Sequence, residues 1–146
     1  MSESLYGALG ISASGMTATR MQMDVVAENL ANADSTTGPN SQPYQRKIVV
    51  LEQAGSSFAD ALGSASAGQA SGGVQVAGIV SDPTPGQKVY DPGHPDADAQ
   101  GYVTMPNVQP VTEMVDLITA SRGYEANVQA LNDTKQMFTR TLDILK

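Results

Sequence analysis

Cysteine and tryptophan are absent from this chain, and histidine occurs once. Without cysteine there is neither a disulfide framework nor a thiolate metal site. That absence leaves the compartment open, because many cytosolic chains also carry few thiols. One histidine, no cysteine and no Gly-x-Ser-x-Gly turn deprive a hydrolase of its nucleophile–base pair. Gly72, Gly73 and Gly78 form neither a dinucleotide fingerprint nor a phosphate loop. Aromatic residues make up 5% of the chain, too few to line a sugar cleft around a carboxylate pair such as Asp96 and Asp98. Cations are scarce: 8 Lys and Arg face 15 Asp and Glu, for a net charge of −7. No basic surface is available to follow a phosphate backbone, so nucleic acid is not an expected partner. Long hydrophobic runs are missing too. No segment reaches the ~18 consecutive apolar residues of a membrane span. The first thirty residues lack the basic and apolar regions of a cleavable signal. The expectation is a chain with no direct membrane insertion, either cytoplasmic or exported by a route that reads no cleavable signal.

What the chain does contain is concentrated at its two ends. A 4–3 walk from Leu5 meets Leu5, Leu9, Ser12, Met16, Thr19, Met23, Val26 and Leu30. The same walk back from the C-terminus meets Leu145, Leu142, Phe138, Lys135, Leu131, Val128 and Tyr124. Apolar residues spaced 3.5 apart are what helix pairing in a coiled coil needs. The first helix is expected from about Ser4 to Ala31, with Gly7, Gly10 and Gly15 each costing about 1 kcal/mol relative to Ala. Intrinsic propensity alone leaves such an end frayed, so packing against a neighbour must stabilise it. The last helix is expected to start between Asn107 and Pro110, with Asn107 as cap, Pro110 in the first turn, and Glu113 and Asp116 near its positive end. Helices of this length span roughly 45–54 Å at 1.5 Å per residue. The rest of the chain offers little apolar surface to cover them. Met16, Met21, Met23, Met114 and Met137 suit the filling of gaps between packed helices.

The middle of the chain is different. Asn32, Asp34, Ser35, Gly38, Pro39 and Asn40 end the first helix. Lys47-Ile48-Val49-Val50-Leu51 predicts a strand. Fourteen of the eighteen residues in Ser56–Gly73 are Ser, Ala or Gly, a composition that predicts a flexible loop. Val74 opens a second β region that Pro83 and Pro85 close, and Val89-Tyr90 and Tyr102-Val103 flank a turn-rich stretch. The expected fold is mainly α with a small β unit: long terminal helices pair as a coiled-coil-like hairpin around short antiparallel strands and the loop. Its parts are an N-terminal helix over 1–34, a middle segment over 35–106 and a C-terminal helix over 107–146.

His94 lies in Asp91-Pro92-Gly93-His94-Pro95-Asp96-Ala97-Asp98. His94, Asp96 and Asp98 at alternate positions suit a metal or acid–base site. Against that, two prolines, a glycine and aspartates that accept local backbone N–H bonds describe a rigid turn. The spacing matches no metal motif closely, so the turn is the favoured reading. No cofactor is expected, and neither is an enzyme.

Several blocks resemble the flagellar axial rod and hook family, and in particular its proximal-rod members. Asn29-Leu30-Ala31-Asn32-Ala33-Asp34-Ser35-Thr36-Thr37-Gly38 follows the first helix, and Gln42-Pro43-Tyr44-Gln45-Arg46-Lys47 comes next. Val89 to Asp98 continues into Gly101-Tyr102-Val103-Thr104-Met105-Pro106-Asn107-Val108. The last helix carries Glu113-Met114-Val115-Asp116-Leu117-Ile118 and Ala120-Ser121-Arg122-Gly123-Tyr124-Glu125-Ala126-Asn127. The similarity covers the chain except for the Ser/Ala/Gly segment, which is longer and looser than in the family. Gln45 stands where the family often has Arg, and Gly123 where Ser or a bulkier residue is common.

The resemblance implies a structural subunit of the basal-body rod, exported unfolded by the flagellar type III apparatus. Its implied partners are copies of itself and the rod proteins FlgB, FlgF, FlgG and FliE. The implied assembly seam places Leu5, Leu9, Met16, Met23, Val26 and Leu30 against Tyr124, Val128, Leu131, Phe138, Leu142 and Leu145. Asn29 and Asn32 are expected to fix the chain reversal by local backbone hydrogen bonds, and Tyr90, Pro92, Pro95 and Tyr102 to stiffen the β unit. Two rivals remain at this point: a small metal-dependent enzyme built on His94, and a cytosolic coiled-coil adaptor.

Overall fold

The computed structural model of the chain describes residues 2–38, 42–55 and 72–144, and their side chains apart from those of 2–6, 142 and 144. Among the described residues the element order is helix, four strands, helix. Helix α1 covers Ser2–Ala31, and helix α2 covers Pro110–Ile144. Between them lie β1 (Lys47–Gln53), β2 (Val74–Ser81), β3 (Lys88–Tyr90) and β4 (Tyr102–Thr104). The strands form two separate pairs, β1 with β2 and β3 with β4. This is the expected mainly α chain with a small β unit. Apart from Gly72 and Gly73, the predicted Ser56–Gly73 loop lies outside the described residues.

The ends of each element have local causes. Beyond Ala31 the backbone turns over on itself, Asn32 N–H bonding the Glu28 and Asn29 carbonyls and Ala33 N–H the Leu30 carbonyl. Asn32 Nδ2 donates to the same Glu28 carbonyl at 2.9 Å, a second bond on an oxygen that the Asn32 N–H already meets. At the start of α2, Glu113 N–H bonds the Gln109 carbonyl at 3.0 Å, so Gln109, not Asn107, is the cap residue. Pro110 follows in the first turn, where its missing N–H has no intrahelical acceptor to lose.

At one end of the β1–β2 pair Ala54 N–H donates to Gly73, and at the other Asp82 N–H donates to Arg46, so the two strands run antiparallel. The shorter pair is antiparallel with Lys88 opposite Thr104, Val89 opposite Val103 and Tyr90 opposite Tyr102. The tyrosine rings meet edge to face with centroids 5.3 Å apart, a favoured aromatic geometry. Gly101 stands beside them at φ 81°, and a Cβ there would sit 2.9 Å from the Tyr90 ring. Both facts require glycine.

The described residues divide between two compact units, one drawn from Gln22–Val49 and Ile79–Ile118, the other from Met1–Met21, Val50–Gly78 and Thr119–Lys146. In the first, Val25, Ala33, Val103 and Val108 are buried, together with Asn29 and Glu113. In the second, Ala18 and Ala120 are buried. There the helices approach through small residues: a Cβ on Gly15 would fall 2.9 Å from the Asn127 side chain, and one on Gly123 would fall 3.4 Å from Thr19. Thr19 lies four after Gly15 and Gly123 four before Asn127, so the helices run antiparallel at this contact. Gly15 therefore gives the helix pair close approach in return for its lost propensity.

Candidate functional site

The most ordered chemistry in the chain surrounds Asn29, in the last turn of α1. Asn29 is 0% exposed, and its amide makes four hydrogen bonds. Its Nδ2 donates to the Lys47 carbonyl at 2.9 Å and to Glu113 Oε2 at 3.0 Å, while its Oδ1 accepts from Lys47 N–H at 2.9 Å and from the Tyr44 hydroxyl at 3.0 Å. Two donors and two lone pairs are all that an asparagine side chain has. Asn29 thus reads both backbone groups of Lys47 as a neighbouring strand would. The expectation of local bonds holds for Asn32 but not for Asn29, whose partners lie 15 to 84 residues away. A helix-terminal asparagine looks local in sequence. Only the return of β1 and α2 brings it these other partners.

Glu113 is the acid of the same cluster, also 0% exposed. Arg46 Nε donates to its Oε1 at 2.5 Å, and Arg46 Nη2 reaches Asp116 Oδ2 at 3.2 Å. Arg46 thereby spans two carboxylates one turn apart on α2. Its hydrogen bond to Glu113 is the main cause that holds the guanidinium above its ordinary pKa, so the charge is firmly kept. Burial, followed by the nearby charge of Glu28, pushes the Tyr44 phenol up. Its protonated hydroxyl is the form that donates to Asn29. Lys47 bonds Glu28, which raises the ammonium's pKa, and lies 5.8 Å from the centre of the Tyr44 ring.

Asn107 ties the same strand from the other side. Its Oδ1 accepts the Arg46 N–H at 2.7 Å, and its Nδ2 donates to the carbonyls of Asp82 and Thr84 at 3.1 and 3.0 Å. This is why Asn107 is not the helix cap: its side chain is engaged with three backbone groups. Pro106 beside it is buried. Among the described residues no buried side-chain nitrogen or oxygen lacks a partner.

The remaining residues of the motif blocks hold loops. Gly38 N–H bonds the Gln42 carbonyl at 2.7 Å, and a Cβ on Gly38 would lie 2.8 Å from that oxygen. Half-buried Pro43 precedes Tyr44, whose own N–H bonds the Ser35 carbonyl. Thr36 Oγ1 donates to Asp96 at 2.7 Å. In the loop between β3 and β4, Asp91 accepts from Gly93 N–H, and Asp98 from Gln100 and Tyr102 N–H. His94 Nδ1 accepts the Asp96 N–H at 3.1 Å. These are the bonds of a turn, with Pro92 and Pro95 fixing φ between them. Among the described residues no three of His, Asp and Glu are grouped to hold a metal ion.

The seam residues have a different fate. Leu9, Met16, Met23, Val26, Leu30, Tyr124, Val128 and Leu131 are half-buried, and Phe138 is 37% exposed. The side chains of Leu5 and Leu142, and all of Leu145, lie outside the described residues. Along α1 the buried positions are Ala18, Val25 and Asn29, one residue to the N-terminal side of Thr19, Val26 and Leu30. The seam kept only the large apolar residues of that walk, whereas close helix approach selects small ones. It also passed over Arg46 and Glu113 as partners. The available signal was Glu113 itself, an acid four residues before Leu117 and seven before Ala120, on the inward stripe of α2. A charge on such a stripe requires a buried partner.

Two family models match the chain: one described as flagella basal body rod protein over residues 9–39, the other as flagellar basal body rod FlgEFG protein C-terminal over 99–144. They cover Asn29 on α1 and Glu113 on α2 but not Tyr44, Arg46 and Lys47 between them, and the class they define is the flagellar basal-body rod protein. The flagellar basal-body rod protein FlgC of Bacillus subtilis is 47% identical over 147 residues, covering 97% of this chain and 98% of its own. That of Yersinia enterocolitica is 47% identical over 141 residues, with the same coverage. That of Borreliella burgdorferi is 39% identical over 153 residues, again covering 97% and 98%. The chain belongs to the FlgC family of flagellar basal-body rod proteins. It is a structural component of the basal body, not an enzyme. No helix among the described residues is long and apolar enough to cross a membrane.

Proposed function

We propose that the chain is a proximal-rod subunit that polymerises through its terminal helices into part of the drive shaft. In this reading segments 1–34 and 107–146 form an inner helical layer around the export channel, and segment 35–106 faces outward. The rod crosses the periplasm and transmits torque. Its partners are further copies of the chain and FlgB, FlgF, FlgG and FliE. Delivery is by the flagellar type III export apparatus, without a cleavable signal. Family membership supports the setting. The observation that carries the mechanism is that α2 leaves apolar side chains open, Val111 at 75%, Met137 at 63% and Ile118 at 54% off the seam, and Phe138 at 37% on it. Burying one such side chain fully contributes about 1.5–3 kcal/mol, so a neighbour's helix is a strong partner for this surface. A heterologous contact that does not close on itself generates a helical filament. The seam from Leu5 to Leu30 and from Tyr124 to Leu145 would then be shared between subunits. The rigid turn and the tyrosine pair would limit compliance in the outer part.

The test is Phe138→Glu. Because Phe138 already meets solvent in the single chain, the substitution should leave expression and export normal. Inside a polymer it places an unpaired charge in a packed helix layer, a penalty of several kcal/mol. Cells should then lack hooks and filaments, scored by electron microscopy of basal bodies. Asp133→Ala, at an exposed site bonded to Gln129 of its own helix, should be tolerated. Normal hooks on Phe138→Glu cells would reject the seam.

A further inference from the structure

In the unit that contains Asn29, apolar burial rests on Val25, Ala33, Val103 and Val108, while the buried polar residues are Asn29 and Glu113. The two kinds of contact specify different things. An apolar stripe with a 3.5-residue repeat is nearly indifferent to a slip of one heptad, because similar side chains come round again. A single buried polar contact is not indifferent, which is how one asparagine sets register in a coiled coil. Asn29 is such a contact in a stricter form. Its donors and acceptors are all taken, and two of them read the N–H and the C=O of one residue, Lys47. Glu113 meets Asn29 with one oxygen and Arg46 with the other. A slip of α2 by one turn would leave a fully buried carboxylate facing neither.

We propose that Asn29, Arg46 and Glu113 form a register clasp that closes in the free subunit. It fixes which turn of α1 meets which turn of α2 in this unit before any neighbouring subunit is present. The clasp is intramolecular and directional: every hydrogen bond in it joins residues of this chain. It therefore goes beyond the assembly reading and does not depend on it.

The experiment uses the purified full chain, shown to be monomeric by sedimentation, with amide exchange and nitrogen-edited NMR. In the parent, amides of Gln22–Ala31, Lys47–Val49 and Glu113–Ile118 should be protected together. The Asn29 side-chain NH2 should exchange slowly, with nuclear Overhauser contacts to Lys47. Asn29→Asp and Glu113→Gln should each cut that protection about a hundredfold or more, since each leaves buried groups mismatched. The double variant Asn29→Asp/Glu113→Gln restores a donor facing an acceptor across the helix pair. It should regain at least about tenfold over the worse single variant, a coupling that independent residues do not show. This comparison holds even where a single variant does not fold. Unprotected segments in the free parent, additive losses in the double variant, or a harmless Glu113→Gln would each overturn the clasp.

Discussion

Asn29→Asp exchanges one nitrogen for oxygen at constant shape, so its effect isolates hydrogen-bond direction and charge from packing. The parent Nδ2 donates to the Lys47 carbonyl at 2.9 Å and to Glu113 Oε2 at 3.0 Å. Aspartate donates to neither, leaving two buried acceptors open at about 1–3 kcal/mol each. It also brings a carboxylate against the Glu113 carboxylate where both positions are 0% exposed. At 4 Å and an effective dielectric near 20, two such charges repel by about 4 kcal/mol. Relief comes through protonation of the new carboxyl, whose folded pKa is driven up by its neighbour and by burial. Even after that relief the loss at neutral pH is at least about 3–5 kcal/mol, a large share of the ~5–15 kcal/mol that holds a typical domain together. At roughly 4–8 °C per kcal/mol for a small unit, circular dichroism should show melting at least about 12 °C below the parent. A carboxyl with a raised folded pKa destabilises fully above that pKa and less as pH falls through it. The gap between variant and parent should therefore narrow on acidification from neutral pH. Melting within about 2 °C of the parent, or a gap that does not change with pH, would refute the account of Asn29 as a saturated buried amide.

Gly101→Ala forces a side chain into φ 81° and against the Tyr90 ring. It should lower stability by at least about 1–2 kcal/mol and reduce the near-ultraviolet tyrosine signal; an unchanged spectrum and melt would contradict the packing. The carboxyls of Asp96, bonded by Thr37 and Thr36, Asp98, bonded by the Tyr102 and Gln100 backbone, and Asp82, bonded by Thr84, all lie below the ordinary carboxylate pKa. Their stabilisation is fully present above the unfolded value near ~3.9 and is lost as pH falls through their lower folded values. Urea midpoints should therefore drop steeply at the acid end and less so in Asp98→Asn. His94→Ala removes one local acceptor from a turn that Asp91 and Asp98 also hold. Motility should persist and the purified chain should carry no stoichiometric metal by mass spectrometry; a tightly bound cation lost with His94 would reverse that reading.

The elements themselves were legible in the sequence because their causes are local. The 3.5-residue stripes mark α1 and α2, and Pro110 opens the second helix. Val, Ile and Tyr runs mark the four strands, and Asp91–Asp98 reads as a turn from proline, glycine and aspartate alone. Composition likewise excluded thiol chemistry, a phosphate-binding surface and a membrane span. The residues that join these elements were not legible in the same way. Asn29 looks like a helix end and Asn107 like a helix cap until the chain entering β1 passes between them and presents Lys47 and Arg46. Gly15 and Gly123 look like defects until the opposite helix brings Asn127 and Thr19 into the space they leave. Glu113 looks like an acid placed at a helix dipole until Arg46 arrives from a position 67 residues earlier. Periodicity and turn chemistry act over a few residues, so the chain alone determines them. Hydrogen-bond partners and close approaches depend on which distant segments meet, and only the tertiary structure decides that.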